Sequence, residues 1–338
     1  MRRVTVSDAL GKITTIIPSF NRAHLIGQAI ESVMAQDYPN IEVIVVDDGS
    51  TDGTEEVLRA LSEKWSERLR TIRIANSGPG PAREAGRQQA SGDYIQYLDS
   101  DDRLLPGKFR LQVAALESHP ECGIAYGKTR LVNEAGEELK APFKWTGRDF
   151  PTLFPWLLVD RWWCTHTPLY RRSVTDAIGP WSDLPYSQDW EYDARAGALG
   201  IRLVNCPEYV SEHLLHAGAR QTGNGRWLAP PDRVRFFFAL FAGARKAEVK
   251  LTAPEMRHFS RWVFRQAREC ALLGDAQSAS KLCSLTANAR ESSSIELSLY
   301  RTLSRLLGWS RVARWSERAR SLLATPSDPG AQKQSWMN

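Results

Sequence analysis

Two short acidic stretches each close an apolar run of strand length. Asp47-Asp48-Gly49-Ser50-Thr51-Asp52-Gly53 follows the run 41–46, and Asp99-Ser100-Asp101-Asp102 follows the run 94–98. A buried parallel strand that ends in carboxylates sets them at the carboxyl edge of a sheet, where open α/β folds bind their ligands. Carboxylates gathered there repel one another unless something positive lies between them. A divalent cation holding a diphosphate is the natural candidate, because hard cations take oxygen ligands from protein and phosphate together.

The first hundred residues alternate strand and helix. Strand-like runs cover 13–17, 41–46, 71–74 and 94–98, and helical spacing covers 24–36, 54–65 and 81–90. This alternation predicts βαβ units and a parallel sheet. Past Asp102 the pattern loosens. Residues 106–118 and 188–199 read as helices, and 123–132, 167–170, 201–204 and 209–215 as strands. Residues 141–187 are rich in Pro, Trp and Tyr. From 226 onward the chain reads as helical. The expected organisation is a domain over 1–225, a helical extension over 226–324 and a disordered tail over 325–338, with the border near 222–230, at Thr222-Gly223-Asn224-Gly225 and Pro230-Pro231.

Bulk composition excludes little. A net charge of +5 over 338 residues fits an anionic ligand, nucleic acid or an acidic membrane. The five cysteines are scattered and lack a C-x-x-C spacing, so they read as reduced thiols of a cytoplasmic protein rather than a disulfide frame or zinc site. No long apolar run follows Met1-Arg2-Arg3, and none reaches the roughly 20 residues of a spanning helix.

The ordered set Ile16-Ile17-Pro18-Ser19-Phe20-Asn21-Arg22, Asp47-Asp48-Gly49-Ser50, Ala82-Arg83, Gly92-Asp93-Tyr94-Ile95, Asp99-Ser100-Asp101-Asp102 and Gln188-Asp189-Trp190 resembles the inverting GT-A glycosyltransferases, in particular glycosyltransferase family 2. The resemblance covers about 12–222. It implies a GT-A fold, a Rossmann-like mixed and mostly parallel α/β sheet flanked by helices, and transfer from a nucleotide-sugar, a UDP-sugar, to a saccharide or lipid-linked saccharide. It implies a divalent cofactor, Mn2+ or Mg2+, held by Asp101 with Asp99 as second ligand or ribose contact, and by His216. It implies a donor pocket walled by Pro18, Ser19, Phe20 and Arg22, with Asp47 or Asp48 on the base, Arg83 on base or phosphate, and Ser100 between the two acids.

By the same resemblance Asp189 is the base that takes the acceptor proton, where a single displacement needs one carboxylate. The family's acidic neighbour is replaced here by Gln188, which removes one charge beside the base. A helix N-terminal cap is the plainer reading of the same residue. His213 reads as an exposed strand residue, and His166 as lying near the acceptor cleft or as structural. In the extension, Phe259, Val263, Ala267, Cys270 and Leu273 recur at core spacing. Arg301, Arg305, Arg311, Arg314, Arg318 and Arg320, with Trp309 and Trp315, form a basic stripe. Such a stripe can lie on an anionic membrane at its inner face, although a solvated face of a packed helix is the favoured reading. A non-catalytic relative that binds nucleotide-sugar or glycan is the alternative. A dinucleotide-binding G-x-G-x-x-G is absent after the first strand, and no partner in nucleic acid is expected.

Overall fold

Isoleucine, valine and threonine fill the first two strands, which are buried from end to end. A computed structural model describes residues 11–216, 228–291 and 295–323. Residues 222–227 of the expected border and the tail 325–338 lie outside them, and Pro230-Pro231 opens a helix. Strand β1 (Ile13–Ser19) runs parallel to β2 (Ile41–Asp47), with Ile13 opposite Ile41 and Ser19 opposite Asp47. Helices α1 (Ile26–Met34), α2 (Thr54–Lys64) and α3 (Pro79–Gln89) alternate with β3 (Leu69–Arg73) and β4 (Tyr94–Tyr97). The parallel order is β3-β2-β1-β4. Near-continuous apolar strands are what a sheet covered on both faces requires. Ile26, Ile30 and Val33 of α1 close one face against Ile13, Val43 and Val45. Each such side chain contributes about 1.5–3 kcal/mol.

Beyond β4 follow β5 (Arg103–Leu104), α4 (Lys108–Ser118), β6 (Cys122–Asn133), β7 (Glu138–Lys140), β8 (Leu169–Arg171), α5 (Arg172–Ile178), α6 (Gln188–Ala198) and β9 (Arg202–Leu215). They extend one mixed sheet in the order β3-β2-β1-β4-β8-β6-β9-β5, with β7 beside β6. The two strands expected at 201–204 and 209–215 are one strand. A register shift opposite Tyr126 and Lys128 skips Pro207, which cannot donate to the ladder.

Helix α3 comes close to the sheet because its inner face is small. A side chain on Gly86 would lie 2.5 Å from Ile16 Cγ2. Pro79 starts the helix after Gly78, whose φ of +94° an L side chain rarely adopts. This approach buries Arg83 on the sheet side.

The chain divides into two compact units. One holds Met1–Leu228 with Ala239–Val249, the other Ala229–Phe238 with Lys250–Asn338. The helices of the extension are α7 (Pro230–Lys246), α8 (Pro254–Leu272), α9 (Ala276–Asn288), α10 (Ile295–Leu307) and α11 (Trp309–Leu323), and α7 supplies residues to both units. Phe259, Val263, Ala267 and Cys270 of α8 are fully buried, as expected, but Leu273 is 64% exposed. The helix has already ended at Leu272, so the core spacing lapses there. Among the described residues no helix is long and apolar enough to cross a membrane.

Candidate functional site

Strand order reverses beside β1, and the loops after β1, β2 and β4 meet at the carboxyl edge there. Each acidic residue of the β2 loop already braces backbone. Asp47 accepts from the Ser50 amide at 3.0 Å and from Arg73 Nη1 at 2.8 Å. Asp48 accepts from the amides of Ser77 at 2.7 Å and Gly78 at 2.8 Å, so it ties the β2 loop to the start of α3. Burial pushes the Asp48 carboxyl up, against the pull of those two amides. On the facing loop Pro18 and Ser19 are buried, and the Ser19 hydroxyl has no partner among the described residues. Phe20 stands 43% exposed, so it is not a core residue. Asn21 adopts a left-handed φ of 52°, which Asn tolerates, and its Oδ1 accepts from the Thr51 amide at 2.8 Å.

The loop after β4 separates its acids into different settings. Asp99 is paired with Arg83 Nη2 at 2.5 Å. Arg83 is buried with its guanidinium 4.9 Å from the Trp181 ring, and its Nε and Nη1 have no partner among the described residues. Ser100 is buried between the two acids. Asp101 lies 3.0 Å from His216 Nε2 and 3.9 Å from Arg22 Nη2. Burial raises the Asp101 carboxyl, with Asp102 and Asp99 adding repulsion.

Asp102, which the sequence left without a role, is fully buried. It meets His166 Nδ1 at 2.7 Å and His213 Nδ1 at 3.0 Å, and accepts from the Leu214 amide at 3.0 Å. Burial alone would raise its pKa, but the two imidazoles hold it well below the carboxylate range. His213 is therefore not a bystander on a strand. It is stacked against Phe143 and His166, and about a quarter of its side chain is exposed.

Asp99, Asp102 and His166 form a group whose ligand atoms lie within 4.8 Å of one another, whereas no such group joins Asp99 to Asp101 and His216 among the described residues. The two carboxylates and the imidazole expected around one cation thus converge only as the pair Asp101 and His216. Two oxygen or nitrogen ligands with phosphate oxygens suit Mn2+ or Mg2+, which keep most positions for water and substrate.

Asp189 stands in the first turn of α6, entered through Ser187 at a left-handed φ of 60°. Its Oδ1 accepts from the Trp190 amide at 2.8 Å, and its Oδ2 from Arg161 Nη1 at 2.8 Å. Arg161 is buried and turns its Nε to Asp193 Oδ2 at 2.7 Å. Burial would raise the Asp189 carboxyl, but Arg161, then Arg83 and Lys144, hold it below its ordinary value. Asp193 stays raised by burial despite the same arginine. Sequence reasoning missed Arg161 because it sits in the Trp- and Pro-rich stretch with no motif spacing to mark it.

Residues 14–179 match the family described as "Glycosyl transferase family 2". An uncharacterized glycosyltransferase of a Nostoc strain is 30% identical over 185 residues, 50% of this chain and 53% of that protein. A Campylobacter jejuni GalNAc(5)-diNAcBac-PP-undecaprenol β-1,3-glucosyltransferase is 40% identical over 98 residues, 28% of this chain and 31% of that one. The chain thus spans about half the length, or less, of these curated relatives. The crystal structure of S. aureus TarS 1–349 in complex with UDP-GlcNAc superposes with a TM-score of 0.65 at 18% identity, over 92% of both chains. That likeness gives the fold, GT-A with C-terminal helices.

Proposed function

The chain belongs to glycosyl transferase family 2, and from that premise we propose that it is an inverting, metal-dependent glycosyltransferase. It would move a sugar from a nucleotide-sugar, a UDP-sugar, to a saccharide or lipid-linked saccharide. The observation that carries the reading is the pairing of Asp101 with His216 after β4, with Asp189 in the first turn of α6 close enough to feel the charge of Arg83, the partner of Asp99.

The nucleotide would lie against Pro18, Ser19 and Phe20, with Phe20 offering its exposed ring to the base. Asp47 and Asp48 shape that wall from behind, and either reaches the base only by sharing the hydrogen bonds it already makes. Asp101 and His216 would hold the divalent ion, Mn2+ or Mg2+, and Asp99 would hold Arg83 toward the phosphates. A bound ion would neutralise the departing diphosphate as a Lewis acid. The partnerless Nε and Nη1 of Arg83 suit phosphate oxygens, which accept charge-assisted hydrogen bonds. Asp189 would take the proton of the acceptor hydroxyl as that oxygen attacks the anomeric carbon. It is ionised near neutral pH, and the Arg161 contact that lowers its pKa also makes it a weaker base than a carboxylate tuned upward.

The C-terminal helices favour a membrane-borne acceptor. Ile295, Leu299, Leu306 and Trp315 are exposed on α10 and α11, as are Arg305, Arg311, Arg314 and Arg318. Exposed apolar and basic groups on such helices suit an anionic bilayer. This matches a protein that works in the cytoplasm at the inner face of the membrane.

The site assignment is tested by Asp101→Ala in calorimetry with UDP and Mn2+. Metal-dependent UDP affinity is expected to vanish in the variant. Unchanged affinity would remove Asp101 from the metal site.

A further inference from the structure

Behind the donor site the fold assembles a second set of metal ligands that sequence spacing does not announce. Cys164 and His166 stand on the turn before β8, and His213 on β9. One ligand atom from each lies within 4.8 Å of the others. The turn is pinned before any ion arrives. Thr167 Oγ1 accepts from the Cys164 amide at 3.1 Å, and the Thr167 amide donates to the Cys164 carbonyl at 3.1 Å. The same hydroxyl meets Thr129 of β6, which in turn meets Ser211 of β9.

From this arrangement we propose that Cys164, His166 and His213 form a zinc site, distinct from the Mn2+ or Mg2+ site at Asp101 and His216, with Asp102 as the carboxylate that orients both imidazoles.

Four observations support it. First, Asp102 faces the Nδ1 atoms of both histidines at 2.7 and 3.0 Å. A carboxylate behind a metal-bound imidazole is the usual outer-shell partner. Second, His166 is fully buried and its Nε2 has no partner among the described residues, while its Nδ1 touches Asp102 outside hydrogen-bond angles. A buried imidazole left this way calls for an ion or water. Third, charge balances. A Cys164 thiolate and the Asp102 carboxylate offset one dication, with both imidazoles neutral. Fourth, the ligand set is soft. Thiolate and imidazole select zinc over Mn2+ and Mg2+, which prefer oxygen.

Tetrahedral zinc would hold the ligand atoms about 3.3–3.6 Å apart, inside the 4.8 Å limit within which they already lie. The fourth position falls to water, reached from the exposed edge of His213. Without metal, Cys164 is a buried thiol carrying its proton. Binding replaces that proton: the S–H bond breaks, the S–Zn bond forms, and one proton leaves per zinc. The ion would then fasten the turn before β8, strand β9 and, through Asp102, the loop that carries Asp99 and Asp101. The proposal does not depend on sugar transfer.

The test is a Co2+ titration of the metal-stripped full-length protein, read as the thiolate-to-cobalt charge-transfer absorption that only a sulfur-ligated ion gives. One cobalt per chain with that band, displaced by Zn2+, is expected. Cys164→Ser should abolish the band, His213→Ala should weaken binding, and Asp102→Asn should weaken it about 10–100-fold. Asp101→Ala should leave it intact. Circular dichroism separates lost metal from lost fold, and if Cys164→Ser does not fold, the folded His213→Ala variant decides. A protein that shows no such band overturns the proposal. So does a band that survives both Cys164→Ser and His213→Ala, or one that disappears in Asp101→Ala.

Discussion

Arg161 changes what Asp189 can do. A partly buried carboxylate without a cation would drift upward, but the guanidinium at 2.8 Å reverses that drift, with Arg83 and Lys144 adding to it. Asp193 pulls the other way, since it shares the same arginine. Because the pKa in the folded protein is lowered, the pair stabilises the fold above the ordinary carboxylate range, and that contribution is lost as pH falls through the lowered value. Activity needs this ionised form, and Asp189 should keep its charge through the acid range in which Asp101, raised by burial, gains its proton. Arg161→Met should move the acid limb of activity to higher pH, because burial is then opposed only by Arg83, Lys144 and the Trp190 amide. An unmoved limb would show that Asp189 is not the titrating base. Asp189→Asn should keep near-normal UDP affinity and lower transfer by about 10²–10⁴-fold, the contribution of a positioned base. Steady-state kinetics beside UDP calorimetry checks this. Loss of UDP binding would instead identify Asp189 as a helix cap.

At the scale of elements, α3 sets the depth of the donor site. Gly86 lets it rest on Ile16 and Val46, and Arg83 reaches Asp99 from there. Gly86→Ala should push the helix outward, cost about 1–3 kcal/mol by overpacking and weaken UDP binding together. Urea unfolding and calorimetry check both, and an unaltered unfolding midpoint would contradict the packing account. The βαβ half of the fold was legible in the sequence because its strands and helices repeat at their own periods. The other half was not. Strand β9 hid behind Pro207, whose bulge no periodicity reports. Arg161, Cys164 and His166 come from a long irregular stretch, and they meet Asp189, Asp102 and His213 only through the pairing of β6 with β8 and β9. Asp102 was in plain view, but nothing local distinguishes a buried acid between two histidines from the last residue of a solvated turn.

At the scale of the whole molecule, the extension and the catalytic unit have separable expectations. If α10 and α11 lie on an anionic bilayer, the protein should co-sediment with phosphatidylglycerol vesicles at low salt and leave them as salt rises, because the basic residues act within a Debye length of about 10 Å at 0.1 M. Trp315→Ser with Leu306→Ser should release it while donor hydrolysis continues. Failure of the unaltered protein to sediment at low salt would return those helices to ordinary packing. The central claim is the proposal that Asp189 takes the acceptor proton on the side opposite the departing diphosphate. A single displacement inverts the anomeric carbon. The most direct measurement is time-resolved proton NMR of the purified protein with Mn2+ and α-linked UDP-sugars, following the sugar first released to water or acceptor. The account predicts a β-anomer appearing with UDP, before mutarotation. An α-anomer appearing first, or no release of UDP from any donor, would contradict it.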